Sequence, residues 1–506
     1  VSPDPRDVLA RHFGYTAFRP GQEDLVRAAL QGRDALGVLP TGGGKSVCYQ
    51  VPALVLGGLT LVVTPLVSLM EDQVGRASAV GLRAGHLSAG QSAGERRETT
   101  ARAREGGLDI LFVAPERLRL EGFLDAIGPD AVSLLAVDEA HCISEWGHDF
   151  RPAYRQIGRV RSRIRAPVLA LTATATPHVR TDVVQSLDLR DALTVVRSFD
   201  RPNLAWAVLA GGSYASRALR VGRLLRRVRG AAVVYAPTRR TVDDVRDALA
   251  SLGTKTEAYH AGLEASERTR VQRAFMSGEC RVVVATNAFG MGIDKADVRL
   301  VAHIQLPGTL EAYYQEAGRA GRDGAPAWCV AFAGRGDHGL ARNFLDSSHP
   351  DGATLRQLHR ALWRRADALD RVLLTPREVE EGLGGEWGSG SLGGALSALE
   401  RCGGLRVLSG SVEGDQGTLP PGGGFQGVRV GLRRSLVLAP ARLLRRASLE
   451  KHRAVLRYSR GRGCRREALL RYFGEESPRR CQACDRCLTT PVFRRSNPNE
   501  PPWNDI

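Results

Sequence analysis

No stretch of this 506-residue chain is both apolar and unbroken over the length a bilayer demands. The nearest approach, residues 51–70, is interrupted by Pro52, Gly57-Gly58 and Pro65. It reads as a helix end, a turn and a buried strand over 59–64. A secretory signal is also missing at Val1, whose neighbours are charged and proline-rich, and a chain opening on valine reads as processed or trimmed. Disulfide scaffolding has little support. Of nine cysteines, Cys48, Cys142, Cys280, Cys329 and Cys402 are scattered through apolar or motif contexts. That suits buried thiols in a reducing, intracellular compartment, cytoplasmic or nucleoid-associated. No short-period repeat is evident. Acid is in deficit, with 54 Asp+Glu against 71 Lys+Arg and a net charge of +17. Such an excess suits either a solvated arginine-rich surface or a polyanionic partner, since phosphate neutralisation dominates nucleic-acid affinity.

What is present divides along the chain. The length suggests about three domains. Up to residue 200, short apolar runs at 35–39, 59–64, 110–114, 134–138 and 168–172 alternate with helical patterns, and each leads into a motif. Continuous apolar runs suit parallel strands covered on both faces, with ligands outside their carboxyl ends. After Ser198-Phe199-Asp200-Arg201-Pro202-Asn203 the pattern restarts at 231–236, 256–260, 281–286 and 300–305, as if the same architecture were used twice. From 347 to 445 the composition changes. Leu355, Leu358, Leu362 and Leu369 mark one amphipathic helix, and Leu392, Ala395, Leu396 and Leu399 another. Strand-like 405–408 and 428–432 flank a glycine-rich stretch, 410–427, which outlines either a winged helix or a helical spacer. Residues 491–506, rich in proline and asparagine, read as a disordered tail.

Three separated motifs carry chemistry. Pro40-Thr41-Gly42-Gly43-Gly44-Lys45-Ser46 is a phosphate-binding loop whose glycines let backbone N–H groups wrap phosphate. Lys45 supplies charge to the outer phosphates of ATP, and the Ser46 hydroxyl can ligate Mg²⁺. Leu39 stands where the strict pattern has its first glycine. In Asp138-Glu139-Ala140-His141, Asp138 ends a buried strand, where a carboxylate is costly unless it serves a metal. It is assigned to Mg²⁺, Glu139 to the attacking water, and His141 to coupling with neighbouring motifs. Within Gln315-Glu316-Ala317-Gly318-Arg319-Ala320-Gly321-Arg322, Arg319 and Arg322 are expected on one helical face, both reaching the γ-phosphate. A site split between two domains can open and close once per ATP, as a nucleic-acid motor requires.

Two further groups follow. Trp146, Phe150 and Arg151 lie just beyond His141. They read either as stacking platforms for unpaired bases with a phosphate-binding arginine, or, for the two rings, as core residues. Cys464, Cys481, Cys484 and Cys487 offer four thiolates, a closed tetrahedral set for Zn²⁺. A helix is expected to begin at Cys464 and run through Leu469, Leu470 and Phe473.

On these motifs the chain resembles the RecQ family of superfamily 2 DNA helicases. The resemblance starts at His12-Phe13-Gly14-Tyr15-Thr16-Ala17-Phe18-Arg19-Pro20-Gly21-Gln22. It continues through 64–73, 112–118, the 142–154 aromatic loop, 171–176, 284–294 and Gly324, and resumes at Cys464. It implies an α/β fold of two tandem RecA-like parallel-sheet domains, 1–200 and 201–346. A winged-helix-like α+β region, 347–445, and a helical zinc-binding subdomain, 446–490, would follow. It also implies that Tyr15 stacks on adenine, Gln22 reads its edge and Arg19 assists. Gly292 and Asp294 would approach the nucleotide from the second domain. Motion is expected 3′ to 5′ on single-stranded DNA, with duplex or branched DNA as substrate, no membrane partner and a monomeric chain. In many family members the zinc subdomain follows the second motor domain closely, whereas about a hundred residues intervene here. A translocase that remodels DNA without net unwinding therefore stays open. A decayed, non-enzymatic DNA-binding module and an RNA helicase are weaker alternatives.

Overall fold

The computed structural model describes residues 3–488 except 66–69, 89, 121, 145, 148–149, 290–294, 335, 376–377, 379–382, 384–388, 410–427 and 477–479. The expected tail, 491–506, and the whole glycine-rich stretch, 410–427, lie outside the described residues, as do Gly292 and Asp294.

Seven strands make the first sheet: β1 (Ala35–Val38), β2 (Leu59–Val63), β3 (Ala84–Leu87), β4 (Ile110–Val113), β5 (Val132–Val137), β6 (Val168–Thr172) and β7 (Leu193–Val196). Their order is β3-β4-β2-β5-β6-β1-β7, with every pairing parallel. A second parallel sheet holds β8 (Leu204–Ala210), β9 (Ala231–Tyr235), β10 (Thr256–Tyr259), β11 (Val282–Ala285), β12 (Val298–His303) and β13 (Ala327–Ala333). Its order is β10-β11-β9-β12-β13-β8, so without β7 the two orders match strand for strand. The architecture is repeated. All residues of β1, β2, β4 and β6 are buried, as strands covered by helices on both faces must be.

The helices that matter below are α1 (Gln22–Leu30), α2 (Val47–Leu56), α3 (Pro177–Ser186), α4 (Leu310–Ala317), α5 (Asp337–Ser348), α6 (Gly352–Trp363), α7 (Ser389–Arg401), α8 (Ala439–Arg460) and α9 (Arg465–Tyr472). Three short strands, β14 (Arg371–Leu374), β15 (Leu405–Ser409) and β16 (Val428–Leu432), form an antiparallel sheet in the order β14-β16-β15. Together with α6 and α7 they give the winged-helix order of helix, strand, helix and two strands. The core between them is Leu355, Leu358, Leu362, Leu392, Leu396, Leu399, Val428 and Val430. Leu369 does not belong to it. The α6 helix ends at Trp363, and Leu369 is 66% exposed in the turn before β14.

Continuous helix joins this module to its neighbours. Positions 346–347 fall inside α5, and 445–446 fall inside α8. Early in α8, Ala441 packs into the small core, whereas Ala454, Val455 and Tyr458 pack into the motor core. The α9 helix begins after Cys464, whose sulfur accepts the Glu467 N–H, and Leu469, Leu470 and Phe473 are buried.

Candidate nucleotide and nucleic-acid site

The glycine loop leaves β1 and enters α2. Gly42 and Gly44 take left-handed φ of 80° and 72°, which a side chain would resist. Gln22, at the start of α1, clamps the loop. Its Nε2 donates to the Gly43 and Gly44 carbonyls at 3.0 and 2.9 Å, and its Oε1 accepts the Arg19 N–H at 2.8 Å. The Arg19 guanidinium donates to the Gly42 carbonyl. Tyr15 stands nearby in sequence and is 54% exposed, a ring with an open face.

At the end of β5, Asp138 is buried, and the one described hydrogen bond to its carboxylate comes from the Glu139 N–H at 3.0 Å. Burial, then the Glu139 charge, pushes its pKa up to about 6, against the pull of Lys45. Glu139 takes a left-handed φ of 46°, uncommon for a side chain of its size. That turn brings its carboxylate 3.8 Å from Lys45 Nζ and 3.4 Å from His141 Nδ1. His141 Nδ1 also lies 2.9 Å from the Thr172 hydroxyl at the end of β6. Glu139, His141 and Thr172 thus form one chain of polar contacts.

Arg322 reaches this cradle from the second sheet. Its side-chain carbons lie 3.5–3.9 Å from where a Gly42 Cβ would stand, and a Gly318 Cβ would meet Thr41 at 3.3 Å. The two arginines do not share a helical face. The α4 helix stops at Ala317, and Gly321 has a φ of 55°, so 318–323 is a chain of turns. Arg319 is buried instead beside Tyr235 of β9, whose hydroxyl is pushed up to about 12 by burial.

In the loop after His141, Trp146 and Phe150 are half-buried. Trp146 packs edge-on to His178 with centroids 4.6 Å apart, and Phe150 carries the Arg155 guanidinium 5.4 Å from its centroid. Arg151 Nη1 donates to the Pro65 carbonyl at 3.1 Å. Elsewhere, the sulfurs of Cys464, Cys481, Cys484 and Cys487 all lie within 4.8 Å of one another. Zn–S bonds of ~2.3 Å in a tetrahedron place sulfurs roughly 3.8 Å apart, so the set fits Zn²⁺. A hydrogen bond from Cys481 holds the Cys484 thiol below its ordinary range, against the cost of burial.

The chain matches the DEAD/DEAH box helicase family over residues 19–183, the helicase conserved C-terminal domain over 215–324 and the RecQ zinc-binding family over 433–488. The probable ATP-dependent DNA helicase RecS of Bacillus subtilis is 39% identical over 371 residues, covering 73% of this chain and 74% of its own. The chain belongs to the RecQ family. The ATP-dependent DNA helicase RecQ of Pasteurella multocida is 44% identical over 344 residues, 67% of this chain and 54% of its own. The chain thus spans about half the length of such curated relatives. Saccharomyces cerevisiae Dbp5, solved with RNA and ADP BeF3, shares the fold at a TM-score of 0.56 and 16% identity, covering 68% of this chain and 91% of its own.

Two residues outside the family motifs read above tie this RecQ-family site together. Arg201, in the link between the sheets, donates to the Gly318, Ala320 and Gly321 carbonyls at 3.2, 3.0 and 2.8 Å and to the Thr41 carbonyl at 3.4 Å. It fastens the arginine turn to the phosphate loop. Lys451 of α8 donates to the carbonyls of Trp146 and, at 2.7 Å, Gly147, and pairs with Glu311 of α4 at 3.6 Å. Two carbonyl acceptors and the Glu311 charge thus hold the ammonium. A signal was available, because the chain has only four lysines among its 71 basic residues. One is Lys45, and another is this buried one.

The cysteine subdomain braces the same link. Residues 483–485 pair with β8, Trp206 N–H donating to the Ala483 carbonyl at 3.1 Å and Asp485 N–H to that of Trp206 at 3.0 Å. Arg466 donates to the Pro202 and Leu204 carbonyls at 3.1 and 2.9 Å, and Phe473 stacks on Phe199 at 4.4 Å. Arg180 of α3 donates to the Phe473 carbonyl at 2.9 Å, so the subdomain touches both motor domains.

Proposed function

We propose that this chain is an ATP-dependent DNA helicase that moves 3′ to 5′ along single-stranded DNA and separates duplex or branched DNA, as recombination and repair require. The observation that carries the reading is Arg322 of the second sheet lying on the phosphate loop of the first. Its relatives' names as ATP-dependent DNA helicases support it further.

In this reading Tyr15 stacks on adenine. Gln22 exchanges its bonds to Gly43 and Gly44 for the adenine edge, so base recognition loosens the loop. The backbone of Thr41, Gly42, Gly43 and Gly44 then wraps the phosphates, and Lys45 leaves Glu139 for the outer ones. Ser46 and Asp138 would hold Mg²⁺, which neutralises phosphate charge when bound. The fit is chemical, since Asp138 is a buried carboxylate with little compensation. Freed of Lys45, Glu139 accepts a proton from the attacking water, and His141 passes the change to Thr172. Arg322 stabilises charge on the transferring phosphoryl group, with Arg319 setting the turn from which it reaches. Gly292 and Asp294 are assigned to the second domain's side of the nucleotide by resemblance alone. Trp146 and Phe150 stack on unpaired bases, Arg151 meets a phosphate, and Lys451 relays occupancy of that loop to α4 and its arginine turn. Zn²⁺ on the four cysteines has a structural role, because four thiolates leave no position for water. The protein is assigned to an intracellular compartment and to a monomer.

Strand displacement from 3′-tailed, 5′-tailed and blunt DNA and RNA duplexes tests this. The parent should open 3′-tailed DNA alone. Glu139→Gln should bind ATP and lose roughly 10²–10⁴-fold in hydrolysis. Hydrolysis on DNA without displacement would leave a translocase, and a preference for RNA would overturn the substrate.

A further inference from the structure

A buried polar cluster sits at the carboxyl edge of the second sheet. β9 and β12 lie side by side, and their last residues, Tyr235 and His303, are register partners whose rings stack with centroids 5.1 Å apart. By strand order β12 takes the place that β5 holds in the first sheet, so His303 stands at the edge where that sheet carries Asp138. His303 is fully buried, and its Nε2 lies 2.8 Å from Glu316 Oε2 in the last turn of α4. A carboxylate only accepts, so the imidazole donates from Nε2 and its Nδ1 is left as an acceptor. The Glu316 backbone carbonyl accepts the Arg319 N–H at 3.3 Å. On the other side the Tyr235 hydroxyl faces the Arg319 guanidinium. Burial pushes that hydroxyl up, and the charges of Arg319 and, more weakly, Arg322 pull it back.

Packing alone does not account for these residue types. Among the described residues, the Tyr235 hydroxyl, His303 Nδ1 and Arg319 Nε are all buried and make no hydrogen bond. Each such group carries a desolvation cost that phenylalanine at 235 or leucine at 303 would not. The strands are otherwise built as core, since 231–234 of β9 and 300–302 of β12 are apolar and buried. Unsatisfied polar groups gathered at the ends of such strands point to a role beyond stability.

Their place indicates that role. Arg201 holds the arginine turn from one side, through the carbonyls of Gly318, Ala320 and Gly321. Those bonds fix the backbone. The His303–Glu316 pair fixes the last turn of α4, from which the arginine turn starts, and Tyr235 faces the first of its two arginines. Small displacements matter here, because misplacing a reacting group by ~1 Å can lower a rate by roughly 10²-fold.

We propose that Tyr235, His303 and Glu316 are positioning residues for hydrolysis, which aim the arginine turn so that Arg322 meets the transferring phosphoryl group. They act through the turn and not on the nucleotide. This role rests on the reading of Arg322 as the group that stabilises phosphoryl transfer, and deepens it by naming what directs that group.

The test uses the full chain and three measurements: single-turnover hydrolysis with single-stranded DNA present, affinity for a non-hydrolysable ATP analogue, and melting. Tyr235→Phe removes one hydroxyl and keeps the ring. It should lower the hydrolysis rate roughly tenfold, with analogue affinity unchanged and melting unchanged or higher. His303→Leu should slow hydrolysis as well, and His303→Gln, whose amide can still donate to Glu316, should recover most of that loss. In an Arg322→Ala background Tyr235→Phe should cost nothing further, because the residue it acts through is gone. Parental rates in both Tyr235→Phe and His303→Leu would overturn the proposal. So would a Tyr235→Phe loss matched by lower melting or weaker analogue binding, which would make the cluster plain core. A loss of the same size persisting in the Arg322→Ala background would overturn it too. Full hydrolysis by Arg322→Ala alone would instead remove the arginine reading on which the proposal stands.

Discussion

The two motor sheets share a strand order and differ at their strand ends. Where β1 runs into Pro40–Ser46, the matching β8 runs into Gly211-Gly212 and a helix whose Arg217 is turned inward. That arginine is bound to Asp337 at 2.8 Å and to the Ile304 carbonyl at 2.8 Å. Where β5 ends on Asp138 and Glu139, β12 ends on His303, paired with Glu316 at 2.8 Å. At these strand ends the second sheet pairs Arg217 with Asp337 and His303 with Glu316, whereas the first leaves a buried carboxylate with a single donor. One scaffold serves twice, and the chemistry lies in what the loops leave unpaired.

The sharpest way to break this comparison is at the arginine the second domain lays on the first domain's phosphate loop. Arg322→Ala should lower kcat by roughly 10³–10⁵ while nucleotide binding stays within a few-fold, as expected for an arginine acting on the transition state. Arg319→Ala should instead lower the melting temperature with a smaller loss of kcat, because Arg319 is buried against Tyr235. Single-turnover hydrolysis with parallel melting separates the two. Equal kcat losses with unchanged melting would mean that Arg319 also reaches the nucleotide.

Next in size is the brace across both sheets. Cys484→Ser should reduce zinc from about one per chain and expose the C-terminal region to limited proteolysis. Hydrolysis should fall several-fold, because Arg466 and Phe473 hold the link that carries Arg201. A zinc-free parent with an equally resistant C-terminus would defeat the metal assignment.

Much of this was legible in the chain. All nine apolar runs named from sequence fall on strands, and all of those strands but β10 are buried along nearly their whole length. Of the strands not named, β3 and β7 lie beside the core only in part, with alternating or patchy burial, and β14 is a four-residue edge with Arg371 and Leu373 outward. Such strands lack the continuous apolar signal. β8 and β13, by contrast, are apolar enough and were simply not separated from the motifs around them. The nucleotide motifs are read from residue types because phosphate chemistry needs those types. Arg201 and Lys451 act through backbone carbonyls, and a carbonyl acceptor leaves no mark on the sequence of its partner. The shared helical face of Arg319 and Arg322 failed for a local reason, since Gly318 and Gly321 end the helix that their spacing implied.

A smaller effect probes the coupling between the halves. Lys451→Met removes three donors while keeping an apolar stem, and burial already holds the Lys451 pKa below its usual value. DNA-stimulated ATPase should fall a few-fold more than basal ATPase, and Trp146→Ala should produce the same split. Base–aromatic stacking is worth about 1–3 kcal/mol, so DNA affinity should fall in the Trp146 variant also. Equal losses in both rates with a lower melting temperature would make the loop a core feature only.

The smallest effect is thermodynamic and tests why the first sheet's carboxylate is left uncompensated. Asp138 has a folded pKa of about 6 against an ordinary 3.8, raised first by burial and then by Glu139. Between those values the native chain keeps a proton that the unfolded chain has released, so its stability falls as pH rises through the window. Above about 6 the cost is complete, on the order of 1–3 kcal/mol. Asp138→Asn keeps an acceptor for the Glu139 N–H and has no charge to desolvate. Without nucleotide or Mg²⁺, the variant should therefore melt higher than the parent at neutral pH, with the gap closing towards pH 4, although hydrolysis is lost. Adding Mg²⁺ and nucleotide should stabilise the parent more than the variant and shrink the gap. Melting curves across pH decide it, and a gap that stays constant from acid to neutral pH would show that the Asp138 charge is already compensated in the folded chain.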